Sequence, residues 1–383
     1  MIPYGWHDID ESDIAAVVEV LRHGPLTQGT TVERFEQAMA ADCQSQYAVA
    51  CNSASSGLLL ACRALELGPG DWLWTSPITF AASATCALHC GARVDLVDVD
   101  PATGNLSPTA LACKLAEAQS LGRLPRILVP VHYAGRPCDM AAIGELAQHF
   151  GFAIIEDAAH ALGASDHGQP VGACRYSQAT VFSFHPVKQI TTGEGGMVLT
   201  NDAELAARMA RLRTHDIRRT EGWHYSIEEP GYNFRLTDIQ AALGLSQLKR
   251  LPDFVARRRC LARRYHQRLS GWPLMTPHGS DDDSSAWHLY VIRLGDQGER
   301  RMVYEAMRAA EIGVQVHYIP LYRQPFMQAQ GMTFDPKAFP GAESFYASAL
   351  TLPLYPGLTH VDQESVLEAL RTALSALHPA TPC

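Results

Sequence analysis

The chain has 383 residues, 47% hydrophobic and 19% charged, with a formal net charge of -9. That length holds one large domain and a smaller one, and the composition is that of a globular protein, not a disordered or fibrous one. The acidic balance excludes a nucleic-acid partner, no apolar run reaches the length of a membrane span, and the N-terminus lacks a signal peptide's basic and apolar regions, so a cytoplasmic protein is expected.

The 10 cysteines show no C-x-x-C pair. Cys86, His89 and Cys90 share a helical face, but a structural metal needs four ligands, usually with a second close pair, so no metal is expected.

An amphipathic helix is predicted over residues 10–22, where Ile14, Val17, Val18 and Leu21 recur at helical spacing and Gly24 follows as a stop. The next segment, Gly24-Pro25-Leu26-Thr27-Gln28-Gly29, reads either as a connector or as backbone that approaches a ligand closely. A second helix, 32–41, leads into a strand at 47–51. Asn52-Ser53-Ala54-Ser55-Ser56-Gly57 then opens a helical pattern over 58–65. Serines there cap the helix with no ligand at all, or its free N–H groups and dipole face an anion.

From here strands (72–75, 93–99, 127–131, 153–155) alternate with helices (81–89, 108–120, 140–149). Such alternation implies a mostly parallel sheet covered on both faces, with ligands at the carboxyl ends of its strands. Three of those ends are chemically unusual: Ser76-Pro77-Ile78-Thr79-Phe80, His132-Tyr133-Ala134-Gly135, and Glu156-Asp157 with Ala158-Ala159-His160-Ala161 after it.

The chain is organised around TVFSFHPVKQITTGEGGM, residues 180–197. A buried strand at 180–184 is followed by a His-Pro break, Lys188, and a loop with Gly193, Gly195 and Gly196. A second strand at 197–200 closes a hairpin-like unit. Lys188 is thus held on a tight turn between two core strands. Partial desolvation lowers a lysine's pKa and frees the amine to form a Schiff base; the plain alternative is a lysine that snorkels to the surface. Asp157 alone would serve as an N-cap. Together, the lysine, the strand-end carboxylate, the Ser-rich helix start and a strand-end aromatic make a set for pyridoxal phosphate. That cofactor needs an amine for its aldehyde, a carboxylate for its ring nitrogen, a phosphate cradle and a flat surface.

Farther on, a helix at 203–213 runs into Thr214-His215-Asp216, and Asn233-Phe234-Arg235-Leu236-Thr237-Asp238 precedes a helix at 239–248 capped by Thr237 or Asp238. A separate long helix, 252–269, links to a second domain beginning near Gly271. Its Arg257-Arg258-Arg259 run reads as a solvated face or as ion-pair partners. The C-terminal part has a strand at 288–294, a helix at 299–311, a strand at 314–317, the aromatic turn Tyr318-Ile319-Pro320-Leu321-Tyr322, and a last helix at 363–377. Asp281-Asp282-Asp283 reads as a solvated loop, since adjacent carboxylates repel.

These motifs together resemble the pyridoxal-phosphate-dependent sugar-nucleotide aminotransferases of the DegT/DnrJ/StrS type. The supporting strings are LTQG (26–29), NSASSG (52–57), SPITFAASA (76–84), GRPCDM (135–140), EDAAHALGA (156–164), VFSFHPVKQITTGEGGM (181–197) and NFRLTDIQAALGLSQL (233–248). Within that family the strings are most similar to the C-4 aminotransferases of pseudaminic acid biosynthesis. The resemblance implies the fold-type I aspartate aminotransferase architecture: an α/β fold with a mostly parallel seven-stranded central sheet flanked by helices, plus a smaller α+β C-terminal domain. Residues 1–250 would form the large cofactor-binding domain, and 251–383 the linker helix and small domain.

Carried over residue by residue, the resemblance implies that Lys188 binds the cofactor and moves the proton during transamination. Asp157 would pair with the pyridine nitrogen, Phe80 would stack on one face of the ring, and His160 would lie near the other face or the cofactor's hydroxyl. Ser183 with Ala54 and Ser55 would hold the phosphate, joined by Asn233 of the neighbouring subunit in a homodimer with shared active sites. The keto sugar nucleotide would meet Tyr4, the segment Gly24, Pro25, Leu26 and Thr27, and the turn His317, Tyr318, Ile319 and Pro320.

Two points of departure stand out. Where relatives commonly show Ser-His-Gly, this chain has Thr214-His215-Asp216, adding a charge expected near the substrate side. Relatives that dehydrate carry histidine in place of the Schiff-base lysine, and Lys188 disfavours that branch.

The resulting expectation is amino transfer from L-glutamate to C-4 of a UDP-linked 4-keto-6-deoxy-N-acetylhexosamine. The alternatives are another keto sugar nucleotide, another pyridoxal phosphate reaction such as dehydration, or a cofactor-binding regulator without catalysis.

Overall fold

Seven short strands make the central sheet of the computed structural model, which describes residues 1–279 and 283–377. Asp281 and Asp282 of the acidic run lie outside the described residues. In chain order the strands are β1 (Tyr47–Cys51), β2 (Trp72–Thr75), β3 (Arg93–Leu96), β4 (Ile127–Val129), β5 (Ala153–Asp157), β6 (Ala179–Ser183) and β7 (Gly196–Thr200). Their spatial order is β1-β7-β6-β5-β4-β2-β3. All neighbouring pairs from β6 to β3 are parallel, while β7 runs antiparallel to both β1 and β6. Residues 97–99 leave the ladder earlier than the apolar pattern predicts, Val99 bridging to Leu106 instead.

The strands are apolar on both sides because helices cover both faces. In the β6–β7 hairpin, Val181 and Val198 pack with Leu58 and Met209, whereas Phe182 and Met197 pack with Phe35 and Ile190. The covering helices are α1 (Glu11–His23), α2 (Thr30–Asp42), α3 (Ala54–Ala64), α4 (Ala82–His89), α5 (Pro108–Ser120), α6 (Met140–Phe150) and α7 (Ala203–Leu212). The apolar stripe of α1 is buried only in part: Ile14 and Leu21 remain exposed. A third core, with Leu261, Tyr265, Tyr290, Ile292, Leu350, Val366 and Leu370, belongs to the C-terminal part. There Tyr290–Arg293 pairs antiparallel with Ala349–Leu352.

Three expectations are corrected. The helices predicted at 239–248 and 252–269 are one 32-residue helix, α8 (Asp238–Leu269), with Pro252 inside it. A proline there removes one hydrogen bond and costs about 3 kcal/mol or more. Burial of Leu248, Leu251, Phe254 and Val255 on both sides of it outweighs that cost. Residues 314–317 are not a strand: Gln315 makes a single bridge to Thr351, so no ladder develops. Within the arginine run, Arg258 is completely buried and is no solvated face.

The described cysteines are free thiols, buried except for Cys113 and Cys260. Among the described residues no cluster of three or more His, Cys, Asp or Glu is placed to hold a metal, and no helix is long and apolar enough to cross a membrane.

Candidate active site

A cavity of about 570 Å³ opens at the carboxyl ends of β5 and β6. Lys188, Asp157, His160, Ser183, Ala54, Ser55, Phe80, Tyr4, His317 and Tyr318 all line it, so most of the predicted site residues converge on one space.

Lys188 reaches it from the turn after β6. Its N–H donates to the His185 carbonyl at 2.9 Å, and the Thr192 N–H returns to Phe184 at 3.0 Å, so the loop closes on itself. Gln189 fastens the turn sideways, its Nε2 donating to the His160 carbonyl at 2.5 Å. Burial pulls the Lys188 amine from a lysine's ordinary 10.5 to about 8; the Asp157 carboxylate pulls the other way and the Arg258 guanidinium adds to the fall. A neutral amine is therefore accessible near neutral pH.

Asp157 ends β5 and is 6% exposed. Its Oδ2 accepts from Ser83 Oγ at 2.6 Å, and its Oδ1 from the Ala159 N–H at 3.1 Å. The N-cap-like contact to Ala159 thus exists beside the cavity-facing role. Ser83, on α4, also shares a 2.7 Å hydrogen bond with Thr79. The sequence reading assigned Ser83 no part, although it lies in the SPITFAASA string. The next-door Glu156 faces away from the cavity into a buried network. Its carboxylate meets His132 Nε2 at 2.7 Å, Ser177 Oγ at 2.5 Å and Thr180 Oγ1 at 3.1 Å. Burial works against the Glu156 charge, but these partners outweigh it and hold the carboxyl below the usual range.

Three histidines crowd the lysine. His160 and His288 lie ring to ring with centroids 4.3 Å apart, and Tyr318 Oη sits 3.2 Å from His160 Nε2. Burial, and then the Lys188 charge, drives His160 well below the ordinary histidine range and His317 to about 4. These rings are neutral, and among the described residues the buried Nδ1 atoms of His160 and His288 have no hydrogen-bond partner.

The Ser-rich turn is both cap and cradle. Ser53 Oγ accepts the Ser56 N–H at 3.1 Å, while the Ala54 and Ser55 N–H groups at the first positions of α3 have no intrahelical acceptor. A side chain at Gly196 would stand 2.5 Å from the Ser53 carbonyl carbon, so glycine lets β7 pass directly under this turn.

The residues present fit pyridoxal phosphate by their chemistry: an uncharged amine near pH 8, a held carboxylate, an orphaned buried imidazole nitrogen and an anion-ready helix start, all on one cavity. Phe80, 62% exposed at the rim, presents its ring 6.2 Å from that of Tyr318.

The remaining predicted residues do not line this cavity. Asn233 is exposed and bridges to Thr214. Pro25, Leu26 and Thr27 are exposed, Gly24 less so, and Thr27 bridges to Thr237 beside the start of α8. Ile319 points outward and Pro320 is buried, with the next N–H, of Leu321, donating to Pro77 at 3.0 Å. Asp216 corrects the expected substrate-side charge. Its carboxylate is buried and accepts from the Glu228 and Glu229 N–H groups at 3.3 and 3.2 Å, with Arg211 Nε 3.5 Å away. It occupies a left-handed position, φ 54°, and its side chain latches a surface hairpin.

Residues 7–371 match the model of the DegT/DnrJ/EryC1/StrS aminotransferase family. The spore coat polysaccharide biosynthesis protein SpsC of Bacillus subtilis is 39% identical over 97% of this chain and 96% of its own. Among solved structures, Helicobacter pylori PseC, an aminotransferase involved in the biosynthesis of pseudoaminic acid, superposes with a TM-score of 0.91 at 30% identity, covering 98% of this chain and 99% of that one. Streptococcus pneumoniae Spr1654 in its PLP-form gives a TM-score of 0.89 at 30% identity, covering 98% and 99%.

Proposed function

The chain belongs to the DegT/DnrJ/EryC1/StrS aminotransferase family and is a sugar aminotransferase that uses pyridoxal phosphate; we propose that it aminates C-4 of a UDP-linked 4-keto-6-deoxy-N-acetylhexosamine, with L-glutamate as donor, in a route to pseudaminic acid. The observation that carries the chemistry is the pairing of Lys188 and Asp157 on one cavity, with burial lowering the amine's pKa to about 8. The substrate rests on the sequence strings and on the likeness to PseC.

Pyridoxal phosphate, when bound, supplies a sink for the electrons released as the substrate's C–H bond breaks. The chain's own residues do the rest. Lys188 Nζ would hold the cofactor and, when free of it, would move the proton at the reacting carbon. Asp157, its carboxylate held by Ser83 on one oxygen and the Ala159 N–H on the other, would pair with the ring nitrogen. Ser183, Ala54 and Ser55, which line the cavity, would hold the phosphate, and Phe80 and His160 would bound the ring. Neutral histidines around Lys188 leave its amine without a competing fixed charge on that side.

We further propose that the active unit is a homodimer with shared sites, formed by two-domain subunits divided as 1–250 and 251–383. Asn233 and the 24–27 segment lie away from the cavity of their own subunit and are largely exposed, as residues that reach a partner's site would be. Leu26 in that segment and Leu21 in the last turn of α1 before it are exposed apolar residues.

The test is a panel of UDP- and dTDP-linked 4-keto sugars with L-glutamate, read by product mass and position of the new amine together with 2-oxoglutarate release. A C-4 amino product from the UDP-linked N-acetylhexosamine is expected. Turnover confined to another carbon or carrier overturns the substrate assignment.

A further inference from the structure

Arg258 is a guanidinium with no access to solvent and no carboxylate among its hydrogen-bond partners in the described residues. Buried charges are normally paired, because desolvation alone is severe. Here four main-chain carbonyls stand in for the missing anion. Nη1 donates to Leu354 at 2.9 Å and to Trp287 and His288 at 3.4 Å; Nη2 donates to the carbonyl of Lys188 at 3.5 Å. Arg258 therefore sits on α8 where three segments meet: the Lys188 turn, the Trp287-His288 segment whose imidazole lines the cavity, and the chain leaving the Ala349–Leu352 strand.

Retaining an unpaired cation at such a point costs stability that an apolar side chain would not. We propose that Arg258 is a positioning residue for Lys188, its buried cation gripping the lysine's main chain while opposing charge on the lysine's amine. The proposal rests on Lys188 being the reacting amine. The groups that face that amine are Asp157 from β5, Arg258 from α8, His185 from the same turn, and the neutral His160, His288, His317 and Tyr318 from the surrounding loops. Asp157 favours the ammonium and Arg258 opposes it, so the carboxylate that serves the cofactor does not lock the lysine in its charged form. Burial lowers the Arg258 pKa only to about 10, and the residue stays charged at neutral pH.

The test uses Arg258→Met, which removes the charge, and Arg258→Lys, which keeps it but loses the multi-pronged grip. In full-length protein freed of cofactor, the pH dependence of Lys188 modification by trinitrobenzenesulfonate is followed by peptide mass spectrometry. In Arg258→Met the midpoint should rise by about half a unit to one unit. In Arg258→Lys it should stay near that of the unsubstituted protein. In both, kcat of the cofactor-loaded enzyme should fall while KM for the sugar nucleotide holds. A purely structural arginine would change melting temperature without moving the Lys188 midpoint, so a folded Arg258→Met protein with an unmoved midpoint overturns the proposal. Where Arg258→Met fails to fold, Arg258→Gln, which removes the charge and keeps hydrogen-bond donors, takes its place: a raised Lys188 midpoint supports the proposal, and an unmoved one overturns it. Turnover retained by Lys188→Ala would instead remove the reading of Lys188 itself, and is scored separately from the titration.

Discussion

Ser83 Oγ lies 2.6 Å from Asp157 Oδ2, so a hydroxyl from α4 fixes the carboxylate at the end of β5. Both groups are buried, and a hydrogen bond to a buried charged acceptor contributes about 1.5–3 kcal/mol. Ser83→Ala should therefore lower the unfolding free energy of the cofactor-free protein by a comparable amount in urea. It should also reduce kcat, because the carboxylate is less firmly aimed. Unchanged stability together with unchanged kcat would show that Asp157 does not depend on this donor.

Asp157→Asn keeps the shape and the neighbours but replaces a carboxylate with an amide that cannot hold the same proton partnership. The variant should still retain cofactor through Lys188, seen as a borohydride-fixed mass on the Lys188 peptide. Its turnover should drop by about a hundredfold or more, equivalent to at least about 2.7 kcal/mol of transition-state stabilisation. Near-normal turnover would reduce Asp157 to its contact with the Ala159 N–H.

The Lys188 pKa gives a stability prediction with a definite sign. Folding lowers it from 10.5 to about 8, so between those values the unfolded chain binds the proton and the folded one does not. Stability from this group therefore rises with pH across that window, and below about pH 8 the folded protein bears the full cost of burying the charge. Comparing cofactor-free protein with Lys188→Met in urea isolates this group. Lys188→Met should be the more stable at pH 7, with the gap narrowing towards pH 10.5; a gap that stays constant would contradict the lowered pKa.

Subunit exchange tests the shared site. Lys188→Ala and Asn233→Ala subunits should each be poor alone. A mixed dimer in which Asn233 acts across the interface collects both defects in one site and leaves the other with intact Lys188 and Asn233. Partial recovery of activity after exchange is expected. Exchange confirmed by mass without any recovery, although Asn233→Ala alone is impaired, would rule the arrangement out.

The alternation of strands and helices was legible in the chain because periodicity is a local property, set by which face of each element meets the core. So were the two chemical anchors. Lys188 follows the β6 pattern on a turn bounded by glycine-rich sequence, and Asp157 closes an apolar run, so local sequence alone places both at strand ends. Other features depend on encounters between distant segments, which no local pattern records. The 2.6 Å contact of Ser83 with Asp157 joins residues 74 positions apart. The burial of Arg258 requires carbonyls from three separate segments to converge before its charge can leave water. Asp216 reads as a substrate-side charge only until the hairpin folds back and offers its carboxylate the Glu228 and Glu229 N–H groups. Pro252 reads as a helix stop until packing on both sides of it holds α8 continuous. The sequence determined which groups sit at the ends of which strands. Tertiary structure decided which buried charges are held and by what, because desolvation is offset only by partners brought from elsewhere in the chain.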